Sequence, residues 1–224
     1  MRLFFGLFLS LLTLSSAAQP APVQPGPPHR VGFVAGFAGS LLLAQGDFRQ
    51  EIGTRQGGGD AFFGVRVSSR LAFGLDLAHH VLDQQSETVL LTSGPAVNLE
   101  TTSAISRISV FGRYGPRLGR VQPYADVLVG ANVLGTHTKI AGTDDDKPGK
   151  KQKESVTPAL GGGLGMEVSL ADLLSWPVAA RVQARHVFGG AAEYLIYDEK
   201  QERFITRSSR TTTFSLSFGL TYDL

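Results

Sequence analysis

The sequence predicts an all-β fold, an eight-stranded antiparallel up-and-down transmembrane β-barrel, on three observations. Eight segments alternate large apolar residues with small or polar ones, which is the period of an extended strand. The connections between these segments are alternately long and short. No apolar stretch after residue 18 is long enough for a membrane-spanning helix. A spanning strand meets lipid with every second residue only, which agrees with the mean hydropathy of +0.05.

The N-terminal residues precede the predicted barrel. Residues 1–18 have the pattern of a secretory signal peptide, in which Arg2 is followed by an apolar run and by small residues at Ser16 to Ala18. Residues 19–29 are rich in proline and predict an extended periplasmic lead-in. We therefore expect one domain, an outer-membrane β-barrel, over residues 30–224.

The first four strands are predicted from runs in which alternate residues are apolar. They cover residues 31–41, 61–68, 71–81 and 102–114. In strand one, Phe33 and Phe37 lie on the face opposite Val34 and Ala38. Strand four alternates less cleanly, and its outward face is assigned to Ile108, Val110 and Tyr114.

The last four strands are predicted at residues 121–133, 156–168, 178–188 and 214–224. Pro123 lies near the start of strand five, where the loss of a backbone donor is tolerated. The eighth strand has the clearest alternation. Its apolar face is formed by Phe214, Leu216, Phe218, Leu220, Tyr222 and Leu224.

The predicted connections sort by length. Short links occur at 68–70, 115–120 and 173–177, and long ones at 46–60, 83–100, 135–155 and 189–210. With an even number of strands, the chain enters and leaves the barrel on the same side, and all the short links lie on that side. Short periplasmic turns and long extracellular loops are typical of transmembrane barrels.

The polar face decides whether the apolar face points to lipid or inward, as in a soluble lipocalin-like carrier. It has no lysine in mid-strand, and most of its residues are small. This composition predicts a narrow lumen, in which the charged residues form ion pairs because each unpaired buried charge costs several kcal/mol. The predicted lumen network comprises Arg66, Asp76, Arg107, Arg113, Asp126, Glu167, Arg181 and Arg185.

The chain resembles the small eight-stranded outer-membrane barrels of the OmpA/OmpX-like class. The resemblance is carried by the terminal segment 217–224, by Pro123 and Tyr124, and by the glycine-rich segment Gly161–Gly165. It implies that the last strand is an assembly signal for the barrel-assembly machinery, although the final residue is Leu where Phe is common. The signal residues would be Ser217, Gly219, Tyr222 and Leu224.

The same resemblance implies the surroundings of the protein. We expect a monomer in the bacterial outer membrane, in contact with membrane lipid and lipopolysaccharide, with both mature termini periplasmic and the long loops extracellular. Aromatic residues near the ends of the strands would anchor the barrel at the membrane interface. The predicted anchors are Tyr114, Trp176 and Tyr222.

No residue pattern identifies a catalytic, cofactor or metal site. The histidines His79, His80 and His186 are candidate bases for a lipid A-modifying enzyme, but none has an evident catalytic partner in the sequence. The run Asp144–Asp146 lacks the ligand spacing of an EF-hand calcium loop. The glycine-rich segment opens no helix, so close packing explains it better than phosphate binding. The absence of cysteine excludes disulfides and thiolate metal sites.

These observations predict a non-enzymatic barrel with a structural, adhesion or surface-interaction role exerted through its extracellular loops. The net charge of +2 and the scattered basic residues argue against nucleic-acid binding. The lysines at 147, 150, 151 and 153 are candidates for contact with lipopolysaccharide phosphates. An eight-stranded interior is filled by side chains, so we expect no open channel. The alternatives are a lipid A-modifying enzyme and a soluble lipocalin-like carrier.

Overall fold

The computed structural model describes residues 31–52, 55–90, 96–140, 151–198 and 203–223. The predicted signal peptide at 1–18, the lead-in at 19–29, the acidic run Asp144–Asp146 and the terminal Leu224 lie outside the described residues. So do the side chains of the four loop lysines. No helix in the described part of the chain is long and apolar enough to cross a membrane.

Eight strands close a barrel in the order β1-β10-β7-β6-β5-β4-β3-β2, and every neighbouring pair is antiparallel. The predicted fold class is confirmed. Two further strands, β8 and β9, form a separate hairpin. The elements are β1 Gly32–Ala44, α1 Gly46–Ile52, β2 Gln56–Arg66, β3 Leu71–Leu90, β4 Ala96–Tyr114, β5 Val121–Ile140, β6 Lys151–Ser169, α2 Ala171–Leu174, β7 Val178–Gly189, β8 Ala191–Asp198, β9 Arg203–Arg210 and β10 Thr213–Asp223.

The strand register fixes the size of the barrel. A path from Gly32 through successive strand partners around the barrel returns to β1 at Leu42, ten residues further along the strand. A stagger of ten residues over eight strands requires a strand tilt of about 40°. Barrels of this size enclose a space that side chains fill.

The two faces of the barrel differ as the alternation predicts. The outward face is apolar and open, with Phe33 64% exposed, Val127 66% and Phe218 66%. Ile108, Val110 and Tyr114 lie outward on β4. The inward positions are buried and largely polar. An exposed apolar surface that encircles a protein is stable only against lipid or another apolar partner.

The long connections contain more structure than the sequence predicts. β2 begins at Gln56, within a segment predicted as loop, and α1 lies just before it. β3, β4, β5 and β6 continue well past their predicted extracellular ends, and β8 and β9 occupy the last long connection. β3 continues beyond His80, its last residue paired with β2, as far as Leu90. At a strand tilt of about 40°, this extension adds roughly 25 Å along the barrel axis. We call these extensions of β3–β6, at the end of the barrel that is predicted to be extracellular, the extracellular wall.

An apolar cluster closes the mouth of the barrel at the end that is predicted to be extracellular. Phe48 of α1 is fully buried there, and Ala192 of β8 packs into the same cluster. Leu82 joins it at a β-bulge of β3, a feature that bends a strand and redirects a side chain. This mouth cluster comprises Leu42, Ala44, Phe48, Leu82, Ile105, Leu134 and Ala192.

Candidate functional site: the charged lumen

All eight charged residues of the predicted lumen network lie inside the barrel. They come from strands β2 to β7, and none is more than 8% exposed. Each occupies an inward position because it alternates with an outward apolar neighbour, as Asp76 does between Leu75 and Leu77. The structure brings all eight into ion pairs.

Arg185 on β7 bridges two other strands of the barrel, β3 on the opposite side of the lumen and β5, which is two strands away. Its Nη1 lies 2.6 Å from Oδ2 of Asp76, and its Nη2 lies 2.9 Å from Oδ2 of Asp126. Asp76 also accepts a hydrogen bond from Nη2 of Arg107 at 3.3 Å. Gln183 donates from Nε2 to the same oxygen of Asp126 at 2.5 Å. Planar guanidinium groups suit such bridges because one fork can reach two carboxylates.

Arg113 on β4 is the second branching point. Its Nη1 lies 2.7 Å from Oε1 of Glu167, and its Nη2 lies 3.9 Å from Oδ2 of Asp126. Its guanidinium carbon lies 4.0 Å from the ring centroid of Tyr124 and 4.7 Å from that of Phe62. Aromatic faces attract a guanidinium through their quadrupole and restrict its orientation. The apolar residues of the lumen therefore help to hold the network in place.

The network reaches the end of the barrel that has the short turns through Asp223. Arg66 lies 2.9 Å from Oδ1 of Asp223 and 4.0 Å from Oε2 of Glu167, while Arg117 lies 3.1 Å from Oδ2 of Asp223. Opposite charges thus alternate without interruption along the lumen. The order is Arg107, Asp76, Arg185, Asp126, Arg113, Glu167, Arg66, Asp223 and Arg117.

A separate pair lies beside this chain of charges. Arg181 donates from Nη2 to Oδ2 of Asp60 at 2.9 Å, and its guanidinium carbon lies 4.6 Å from the ring centroid of Phe62. The assignment of Asp60 to a loop is wrong, because β2 already begins at Gln56. A usable signal was present, since Asp60 has the same parity as the inward Phe62 and Arg66.

Other contributors were not assigned to the network from the sequence. Gln183, Tyr124 and Asp223 occupy inward or rim positions and contact its members. Five arginines and four acidic residues are buried in the lumen, and Asp223 at the rim supplies the fifth negative charge. The lumen is therefore close to electrically neutral, with its charges compensated locally.

The glycine-rich segment of β6 provides the room that the network needs. A Cβ atom at Gly163 would lie 2.6 Å from Cγ of Arg185 and 2.8 Å from Oδ1 of Asp126. A Cβ atom at Gly165 would overlap the ring of Tyr124. These glycines therefore serve close packing of large side chains in the lumen.

The three histidines lie in different environments. His80 is buried, and its Nε2 lies 2.8 Å from Oγ of Ser40 inside the barrel. His79 is exposed on the outer surface, and its Nδ1 lies 2.9 Å from Oγ of Ser106. The ring of His186 packs edge-on against Phe188. No cluster of three or more potential metal ligands occurs among the residues that the structure describes.

The predicted anchors, and the assembly residues Gly219 and Tyr222, lie towards the end of the barrel that has the short turns. Tyr114 and Trp176 are exposed, whereas Tyr222 is half-buried. Ser217 faces the lumen and is buried. A Cβ atom at Gly219 would overlap the backbone of Phe37 and Ala38, so this position requires glycine for close approach of β1.

Comparison with known proteins bears on the fold. No protein-family model and no curated protein sequence matches the chain. A major outer membrane protein from Thermus thermophilus is similar in structure, with 12% identity over 88% of this chain and 100% of that chain, at a TM-score of 0.57. The outer membrane protein OprG from Pseudomonas aeruginosa has 12% identity over 88% of this chain and 97% of that chain, at a TM-score of 0.51. The chain therefore has the fold of the small outer-membrane β-barrels.

Proposed function

We propose that the protein is a non-enzymatic integral barrel of the bacterial outer membrane, with a structural, adhesion or surface-interaction role. The observation that carries this proposal is the inversion of polarity between its two faces. Large apolar side chains are exposed on every strand of the barrel, while charges are buried and paired inside. Lipid is the solvent that stabilises such a surface.

The same inversion argues against a soluble lipocalin-like carrier. Such a carrier would place its apolar face inward around a ligand. Here the space inside is occupied by the lumen network, by aromatic rings that pack on Arg113, and by the mouth cluster. An apolar ligand would have to displace paired charges, which is energetically costly.

We orient the barrel so that its short turns and both termini of the mature chain lie in the periplasm. The extracellular wall, α1 and the β8–β9 hairpin then face the exterior, where they are the surface available to ligands. The terminal strand is the signal for the barrel-assembly machinery. The folded barrel is a monomer surrounded by membrane lipid and lipopolysaccharide.

The barrel is closed to ions. The lumen is crossed by the Arg185 and Arg113 bridges, and the mouth cluster lies beyond them on the extracellular side. Conduction requires a continuous polar path, and the apolar layer removes it. We expect no stable, sizeable conductance when the purified protein is added to planar bilayers. Reproducible single-channel steps would refute the closed lumen.

The membrane assignment is tested by fractionation and by gel mobility. The expressed protein should appear in the outer-membrane fraction, and its folded form should migrate differently on a denaturing gel before and after boiling. A soluble protein without a mobility shift would overturn the proposal and would redirect the search to apolar ligands.

Lipid A modification is a second candidate, favoured by one hydrogen bond. His79 and Ser106 form a pair on the outward face, beside the exposed Leu77 and Ile108. A serine activated by a histidine can attack an ester, although such sites usually contain a third group that orients the base. Expression should change the mass of lipid A if this candidate is right, and Ser106→Ala should abolish the change. An unchanged lipid A mass on wild-type expression eliminates it.

A further inference from the structure

Three exposed arginines lie at element ends on one part of the proposed extracellular rim. Arg49 lies in α1, Arg55 immediately precedes β2, and Arg210 ends β9. None of the three forms an ion pair within the described part of the chain. Two exposed arginines at the periplasmic end differ in this respect, because Arg117 pairs with Asp223 and Arg120 with Asp172.

The strand register places these three residues, the rim arginines, over neighbouring strands. Gln56, next to Arg55, is the partner of Leu42 on β1. Ala44 at the end of β1 is the partner of Thr213, three residues after Arg210. The rim arginines therefore stand over β2, β1 and β10, within roughly two strand spacings of about 4.8 Å each.

Two contacts hold this part of the rim in place. The backbone N–H of Gln45 donates to the carbonyl oxygen of Thr212 at 2.9 Å, which joins the end of β1 to the β9–β10 link. Phe48 is buried in the mouth cluster, and α1 packs against β9. Arg49 follows Phe48 directly and is exposed. The cations are thus carried by an anchored helix and by strand ends.

Directly below the rim arginines lies the apolar outer surface of the barrel. Leu41 is exposed on β1, and Phe214 lies half-buried on the outward face of β10. On the opposite side of the barrel the strands continue upward into the extracellular wall. A cationic rim above an apolar surface matches an amphiphile with an anionic head.

We propose that the rim arginines bind the phosphate groups of an anionic lipid in the outer leaflet. The acyl chains of this lipid lie along the outward faces of β1 and β10. Guanidinium groups suit this ligand because they donate two parallel hydrogen bonds to phosphate oxygens. This lipid site rests on the outer-membrane function proposed above, to which it adds a ligand and the strands that the ligand contacts.

The test uses the full-length barrel folded into phosphatidylcholine nanodiscs, with lipid A as the probe. The triple variant R49Q/R55Q/R210Q is compared with the wild type and with a control, R70Q/R120Q, which removes exposed arginines at the periplasmic end. Removal of the three charges should lower the affinity for lipid A about 100-fold. The control variant should bind as the wild type does, and phosphate-free lipid A should bind weakly to all three.

Several results would overturn the proposal. Equal lipid A affinity of the wild type and the triple variant, or equal wild-type affinity for phosphate-free lipid A, would remove the role of the rim arginines. Displacement of lipid A by millimolar inorganic phosphate, or tighter binding of a soluble sulfated polysaccharide, would show that the lipid is not the preferred ligand. Boiling-dependent gel mobility of each variant reports separately on the barrel, so failure of the membrane function is distinguished from failure of the lipid site.

Discussion

The lumen network and the mouth cluster occupy the same barrel but fill it by opposite means. Arg185 and Phe48 are both buried, the first at 2% exposure and the second at 0%. Arg185 is stabilised by two carboxylates, on β3 and on β5, whereas Phe48 packs among aliphatic side chains. A polar interior depends on the simultaneous presence of all partners. An apolar interior depends on shape and volume.

The two regions also differ in which parts of the chain supply them. Barrel strands contribute every member of the lumen network, and the ion pairs of Arg185 tie β3, β5 and β7 together. The mouth cluster needs α1 and β8, which lie outside the barrel. Damage to the network should therefore destabilise the whole barrel, while damage to the cluster should release local structure.

The largest effect is expected when Arg185 is replaced. Arg185→Ala leaves Asp76 and Asp126 buried without their shared partner, and removal of one member of a buried ion pair costs about 3–5 kcal/mol. The free energy of unfolding should fall by that amount in urea titrations followed by the folded gel band. Arg70→Ala, at an exposed turn, is the matched control and should leave the midpoint unchanged. Equal midpoints for Arg185→Ala and the wild type would contradict a structural role for the network.

Phe48→Ala should have a large but local effect. Truncation of a buried phenylalanine costs about 3 kcal/mol or more, and here that energy anchors α1 on the mouth cluster. We expect faster proteolysis within α1 of the folded protein, with a urea midpoint close to that of the wild type. A midpoint as low as that of Arg185→Ala would mean that the two regions unfold together.

The sequence predicts the barrel well where the strands meet lipid. There, one face must be apolar and the other small or polar, and this pattern identified the inward positions of Asp76, Arg113 and Arg185. The pairing partners could not be predicted, because the stagger of ten residues is set by all strand registers together. Arg185 thus meets Asp76, which is more than a hundred positions away in the chain.

The predictions failed where the environment changes from lipid to water. β3 to β6 continue beyond the residues whose apolar alternation marks a strand, so these extensions could not be recognised from that alternation. Asp60 was missed for a related reason. The residues before it, Gly57–Gly59, have low strand propensity and indicate a loop in isolation. The neighbouring strands β1 and β3 impose the extended conformation.

A double-mutant cycle on Asp60 and Arg181 would measure how strongly a buried charge in the lumen depends on its partner. Asp60→Asn and Arg181→Met should each destabilise the barrel, because each leaves one buried charge without its partner. The double variant should recover about 1–3 kcal/mol relative to the sum of the single changes. Urea midpoints of the four proteins provide the coupling energy. Strict additivity would show that the 2.9 Å contact does not couple the two residues.

The smallest effect is expected at the short-turn end of the barrel, where the network meets solvent. Arg66 and Arg117 share Asp223, but the side chain of Arg66 is 10% exposed and that of Arg117 is 51% exposed. Exposed ion pairs contribute less than about 1 kcal/mol because water and salt screen them. Arg117→Ala should therefore lower the free energy of unfolding only slightly, and added salt should erase the difference. Arg66→Ala should cost more and should remain costly at high salt, since burial limits screening. If the two variants behaved alike, depth in the lumen would not determine the strength of these pairs.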